Sequence, residues 1–152
     1  MKNFYKKGIT AVEALIVIAV LGLMFMIVFP QFAKSRENQV IKAGVQDILS
    51  SIDKARVNTL SSLNSSEYGI HFEANAVIIF KGTVFSSGSQ DNETVDIISP
   101  ANISNISLIG GANDFYFHRL TGAPSATGTI TISSPSFSKI ITISATGIAS
   151  VN

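Results

Sequence analysis

Cysteine is absent from this 152-residue chain. That excludes a disulfide framework and any thiolate metal site. It leaves the compartment open, because an exported domain can be held together by packing alone. A strong excess of either charge is also missing. The net charge of +1 lacks the basic surplus of a nucleic-acid binder. The signatures of the common enzyme chemistries are missing too: there is no P-loop, no G-x-S-x-G, no H-E-x-x-H and no cysteine nucleophile. The length allows one soluble domain and one accessory segment.

What is present is unevenly distributed. Residues 9–29 read ITAVEALIVIAVLGLMFMIVF, 21 residues with one charge, Glu13. A bilayer core about 30 Å thick takes roughly 20 apolar residues as a helix. Lys2, Lys6 and Lys7 precede the run. Without those three the chain carries eight basic against ten acidic side chains, a balance of −2. The basic leader therefore reads as a targeting feature. An ordinary secretory signal has an apolar stretch of about 7–15 residues followed by an A-x-A-like cut. This run is longer and no such site follows it, so it is expected to be retained. The flanking lysines place the N-terminus in the cytoplasm and the remainder outside.

A generic anchor needs no carboxylate. An ionised side chain costs about 2.5–3.5 kcal/mol at the centre of a membrane helix, and such residues usually have a partner and a task. The segment Lys6-Lys7-Gly8-Ile9-Thr10-Ala11-Val12-Glu13-Ala14-Leu15-Ile16-Val17 resembles the processing motif of type IV pilins and type II secretion pseudopilins. In that family a basic leader ends in Gly, and a membrane aspartic peptidase cuts after it and methylates the new amine. The fifth residue of the processed chain is Glu. Glu13 holds that place counted from Ile9, and Gly22 and Pro30 fall where the family often has a helix-weakening Gly and Pro. Ile9 stands where Phe is commoner, and Ala11 and Ala14 where Leu is commoner.

The resemblance implies an α+β, pilin-like fold. Residues 1–8 would be the leader, 9–29 the membrane and filament-core helix, 30–64 an amphipathic helix, and 65–152 an antiparallel β head. It implies cleavage between Gly8 and Ile9, subunit assembly through Glu13, and softening of the helix at Gly22 and Pro30. The implied partners are other pilin or pseudopilin subunits, the prepilin peptidase, the inner-membrane assembly machinery and inner-membrane lipid. The implied location is the inner membrane as a single-pass protein, then a periplasmic or surface filament.

The residues beyond the apolar run support this layout. Ile41, Val45, Ile48, Ile52 and Ala55 recur at spacings of four and three, and Leu49, Leu60 and Leu63 widen the stripe. Lys42, Gln46, Asp47, Ser50, Asp53 and Lys54 lie mostly off it. Asn64-Ser65-Ser66 is a stop signal, so the helix is expected to run from Ile9 to Leu63, about 80 Å at 1.5 Å per residue. Strands are expected at 68–72, 77–80, 84–85, 95–98, 106–109, 115–118, 129–133, 139–144 and 148–151. Residues 86–94 hold no apolar side chain and are expected to form an exposed loop. Thr129–Ser133 and Ile140–Ser144 alternate apolar with small polar residues, which suits strands covered on one face.

Three segments resemble the H-type minor pseudopilin and FimT-like branch: Asp53-Lys54-Ala55-Arg56, Phe115-Tyr116-Phe117-His118-Arg119-Leu120-Thr121-Gly122, and Ile143-Ser144-Ala145-Thr146-Gly147-Ile148. Some FimT-like proteins carry a basic, DNA-binding C-terminus. Here Lys139 is the last cation, so DNA is not an expected partner.

Other candidate sites have plainer readings. Ser51-Ile52-Asp53-Lys54 and Ser136-Phe137-Ser138-Lys139 match S-x-x-K, but the S-D-N and K-T-G partners are missing. His71 and His118 are expected as hydrogen-bonded strand histidines, since catalytic zinc takes about three protein ligands. Asp91, Glu93 and Asp96 lack EF-hand spacing and read as a solvated acidic loop. Asn64, Asn92, Asn102 and Asn105 begin N-x-[ST] sequons that the composition alone explains. No catalytic residue, cofactor or metal is expected. The alternative to a filament subunit is a monomeric, membrane-tethered binding module outside the cytoplasm.

Overall fold

A computed structural model describes residues 10–152; Gly8 and Ile9 lie outside the described residues. The chain divides into two compact units, residues up to Arg36 and Glu37–Asn152. One helix, α1 (Ala11–Leu60), contributes to both and continues through Gly22 and Pro30.

In the first unit α1 is apolar on every side, and the large hydrophobic side chains from Val12 to Phe29 are 44–79% exposed. Such a helix is long and apolar enough to cross a membrane. Pro30 has no N–H, so the carbonyl of Met26 lacks its usual helical donor.

In the second unit α1 lies on eight antiparallel strands. These are β1 (Tyr68–Phe72), β2 (Ala76–Lys81), β3 (Glu93–Asp96), β4 (Asn102–Leu108), β5 (Asp114–Tyr116), β6 (Gly128–Ser133), β7 (Ser138–Ile143) and β8 (Ala149–Val151). They form two sheets, ordered β3-β2-β1-β5 and β4-β6-β7-β8. The layout is thus α+β, an N-terminal apolar helix continuing into a helix packed on antiparallel sheets.

The core follows from the two periodicities. Ile41, Val45, Ile48, Ile52 and Ala55 are buried along one face of α1. Ile130 and Ile132 of β6 and Ile141 and Ile143 of β7 point inward, while Thr129, Thr131 and Thr142 are half-exposed. These isoleucines and the buried helix residues join Tyr68, Ile70, Phe72, Val77, Ile79, Phe115 and Phe117 in one cluster. Gly44 is also buried on the helix face. A Cβ there would lie 2.6 Å from Ile132 Cδ1 and 3.4 Å from Ile97 Cγ2, so the glycine lets helix and sheet approach closely.

Several boundaries differ from the sequence reading. Leu60 and Leu63 are 42% and 46% exposed and so do not extend the buried stripe. The helix stops at Leu60 and a short 3₁₀ turn, Leu63–Ser65, follows. Ser62, Asn64 and Ser65 have left-handed φ of 51°, 52° and 54°, which ends the regular ladder before the expected stop. In place of Leu60 and Leu63, the buried stripe gains Ser51 and Thr59. Their hydroxyls donate to the carbonyls of Asp47 (2.7 Å) and Ala55 (2.9 Å), which makes burial of a polar group tolerable.

Val84-Phe85 is not a strand. It belongs to the loop after β2, and that loop crosses the face of the first sheet opposite the main core. Phe85 stacks on His71 at 3.8 Å and 5° and meets Phe80 edge-on at 5.7 Å. This explains why Ile78 and Phe80 are buried along with Val77 and Ile79: β2 is covered on both faces. β3 is displaced toward the N-terminus from the expected 95–98, because Ile97 leaves the ladder to enter the core.

Candidate functional site

Glu13 sits in the first turn of α1. Its N–H donates to Thr10 Oγ1 at 3.3 Å, and Ala14 N–H donates to Thr10 O at 3.1 Å. Thr10 is therefore the N-cap and Glu13 occupies the third helical position, the T-x-x-E arrangement of a capping box. A carboxylate there also faces the positive end of the helix dipole. The Glu13 carboxylate has no hydrogen-bond or ion-pair partner among the described residues. The threonine four residues before Ala14 was the available signal for this cap, and reading Glu13 only as a membrane charge passes over it.

Gly22 has nothing within 4 Å of the place a Cβ would take. Its own chain therefore does not require a glycine there. Phe25 and Phe29, one turn apart, contact each other at 5.8 Å. The first unit thus offers a bare apolar cylinder with one carboxylate near its start, a glycine gap at 22 and a missing backbone donor at 30.

In the second unit the three segments that suggested a branch of the family converge on Arg56. Its Nε donates to Gly122 O and its Nη2 to Thr146 O, both at 3.2 Å. Gly147 has φ +79°, and a Cβ on it would meet Gly122 O at 2.3 Å and Phe117 Cε1 at 3.2 Å. One guanidinium thus ties two distant loops to the helix. This is a clasp between the helix and two loops, and sequence spacing alone gave no sign that the segments meet.

The remaining candidates do not assemble into a reactive centre. Ser51 spends its hydroxyl on Asp47 O, while Lys54 forms an ion pair with Glu93 at 2.5 Å. His71 has an Nδ1 without a hydrogen-bond partner, so the expectation of a satisfied histidine fails there; its ring stacks on Phe85. His118 lies 4.0 Å from Glu67. Asp91 is 3.7 Å from Lys81, so the acidic loop is held by lysines on both sides. Among the described residues no group of three His, Cys, Asp or Glu is placed to hold a metal.

The class defined by fold and site is an α+β protein whose N-terminal helix exposes a membrane-length apolar surface. Comparison with protein-family models, curated proteins and solved structures finds no match to this chain.

Proposed function

We propose that this chain is a structural, minor-type subunit of a type IV pilus or of a type II secretion or competence pseudopilus. In this reading it is cut between Gly8 and Ile9 by prepilin peptidase and assembled by packing its apolar helix against those of neighbouring subunits. The observation that carries the reading is the uncovered apolar surface of residues 12–29 combined with a single carboxylate at Glu13. A helix apolar all round needs a covering medium. Lipid supplies it before assembly and other helices supply it afterwards.

Glu13 then sets the register. Cleavage converts the Ile9 peptide nitrogen into an amine. A neighbouring subunit's amine and the Glu13 carboxylate attract strongly in apolar surroundings, although desolvation offsets much of the gain. Removing one partner of such a buried pair costs about 3–5 kcal/mol. Only one axial stagger joins the two charges, whereas apolar contacts tolerate many.

A second reading, a monomeric membrane-tethered module, is favoured by the place of Glu13 in the first turn of α1. A carboxylate there is stabilised by the helix dipole and needs no partner subunit. Glu13→Gln separates the two, because Gln also serves at the third position of a capping box. The filament reading expects Glu13→Gln to be inserted and cut normally but poorly incorporated into sheared filaments. Normal incorporation leaves Glu13 as a first-turn carboxylate with no part in assembly. Intact-mass analysis of the membrane-extracted chain tests the cleavage itself: a form still beginning at Met1 beside an active peptidase would refute it.

A further inference from the structure

We infer that the groove between α1 and the edge strand β8 receives an extended, acidic segment of a partner protein, which pairs with β8 as an added strand. The inference uses Glu37–Asn152 only and holds whether or not the apolar helices assemble.

The two sheets end in four edge strands, β3, β5, β4 and β8. β5 is closed, because Ser125 N–H donates to Tyr116 O at 2.8 Å and Ser125 Oγ accepts from Tyr116 N–H at 3.1 Å. β4 is held at its start, where Ile103 N–H donates to Ala74 O at 2.8 Å. β8 has no strand on its outer side among the described residues, and the phase of its ladder fixes which backbone groups are free. Ser144 N–H donates to Ile148 O and Asn152 N–H to Ile140 O, both at 3.0 Å, and Ser150 faces Thr142. Hydrogen-bonded pairs recur at every second residue of an antiparallel ladder, so Ala149 and Val151 direct their N–H and C=O groups outward. Their side chains share the face of Ile143 and Ile141, which are buried beneath α1. Residues of an added strand that bond to Ala149 and Val151 therefore point the same way, into the groove.

The groove is apolar at its centre and basic at one end. One part, about 330 Å³, is lined by Leu49, Asp53, Arg56 and Ala149. The next, about 260 Å³, is lined by Lys42, Val45, Lys139 and Val151. Gln46 borders both, so the two parts are continuous. Lys139 stands two residues before Ile141, which faces Val151, and so occupies the groove face one step beyond Val151. Neither Lys139 nor Lys42 takes part in an ion pair among the described residues. At the other end Asp53 offsets the charge of Arg56, whose guanidinium donates to two carbonyls. Strand alternation then sets the ligand. Antiparallel pairing places apolar side chains opposite Val151 and Ala149, and a carboxylate two residues earlier lies between Lys42 and Lys139. The partner segment reads acid-x-apolar-x-apolar, with each x on the opposite face. β3 of a second copy lacks that pattern. Ile97 N–H donates to Asn75 O and Val95 faces Val77, so the outward residues of β3 are Thr94 and Asp96, and neither is apolar.

The test uses the full-length chain in detergent micelles and a fluorescent, end-blocked peptide, Ser-Glu-Thr-Val-Thr-Val-Thr-Ser, followed by polarisation. Saturable binding is expected. Methylating the backbone nitrogens of the two valines, which bond to β8 in this pairing, should abolish binding. Methylating those of the threonines, which point away from β8, should not. Lys in place of Glu in the peptide, or Lys42→Glu with Lys139→Glu in the chain, should weaken binding about tenfold or more. The two changes together should restore it. Both lysines are exposed, and the peptide changes leave the chain untouched. Absence of saturable binding overturns the inference. So does equal loss on methylating the valines or the threonines, which is what an apolar contact without strand pairing gives. Binding indifferent to both charge changes overturns the acidic character of the partner. A chain already dimeric, whose dimer is broken by Lys42→Glu with Lys139→Glu while the peptide stays unbound, overturns it in favour of a second copy.

Discussion

Residues 12–29 and 41–59 belong to one helix, yet they solve opposite problems. The first stretch has large apolar side chains on all sides and buries none of them in its own chain. The second has one apolar face, buries it against two sheets, and keeps Lys42, Gln46, Ser50, Asp53 and Lys54 exposed. The difference is one of angular distribution more than of composition. A stripe selects a partner surface inside the chain, whereas a full cylinder selects a medium outside it. Breaking the two stretches should therefore have unlike consequences.

The largest contrast is expected from the same substitution in each. Ile52→Asp places an unpaired carboxylate at a site that is 1% exposed, which costs several kcal/mol. Domain stabilities are of the order of 5–15 kcal/mol, so near-UV circular dichroism of the full chain in micelles should show the head unfolded or strongly destabilised. Val20→Asp, at a site 51% exposed, should leave the head's melting unchanged while reducing membrane insertion. A head that melts like wild type with Asp at 52 would remove the stripe from the argument.

Gly44→Val should come next. The new side chain meets Ile132 and Ile97, and overpacking of this kind costs about 1–3 kcal/mol. Gly22→Ala is its counterpart in the first stretch. Nothing in the chain opposes it, and Ala is the better helix former by about 1 kcal/mol. Monomer stability should not fall, and any defect should appear only where helices of separate subunits approach. Reduced head stability in Gly22→Ala would contradict the independence of the two stretches.

Arg56→Ala removes both bonds of the clasp and is expected to cost about 2 kcal/mol. Arg56→Lys should recover little of this, because an ammonium cannot reproduce the planar fork. Chemical denaturation with an unchanged m-value would measure it. The smallest effect belongs to Lys54→Ala. It removes an ion pair whose side chains are both about half-exposed, and such pairs are worth about 0–1 kcal/mol. A loss comparable to that of Arg56→Ala would mean the pair anchors β3 and is not a surface decoration.

The strongly periodic segments were legible in advance. Ile130 and Ile132, Ile141 and Ile143, and the helix stripe to Ala55 all lie where their spacing puts them, because burial on one face imposes that spacing. Legibility failed where a position depends on something distant in the chain. Val84-Phe85 has strand-like residues, but Phe85 is used to cap His71 and Phe80. Leu60 and Leu63 continue the helical spacing, but Leu60 closes the helix and Leu63 lies in the 3₁₀ turn after it, and both are only partly covered. Gly44 and Thr59 break the apolar pattern yet are buried, one for close approach and the other because Ala55 O and Tyr68 N–H satisfy its hydroxyl. At Thr10–Glu13 the local T-x-x-E pattern marks a helix start, a signal separate from the membrane length of the run that follows.

By itself the sequence determined that this chain has a membrane-length apolar helix preceded by lysines, an amphipathic continuation and a β-rich remainder. Those properties are set by short-range periodicity and by the length of an apolar run, both local quantities. Only the tertiary structure decided how the strands divide into two sheets and that Arg56 gathers Gly122 and Thr146, 24 residues apart in the chain, onto one helix. These are pairings between residues far apart in the chain. No local spacing encodes them, because each depends on which surfaces remain uncovered after the core has closed.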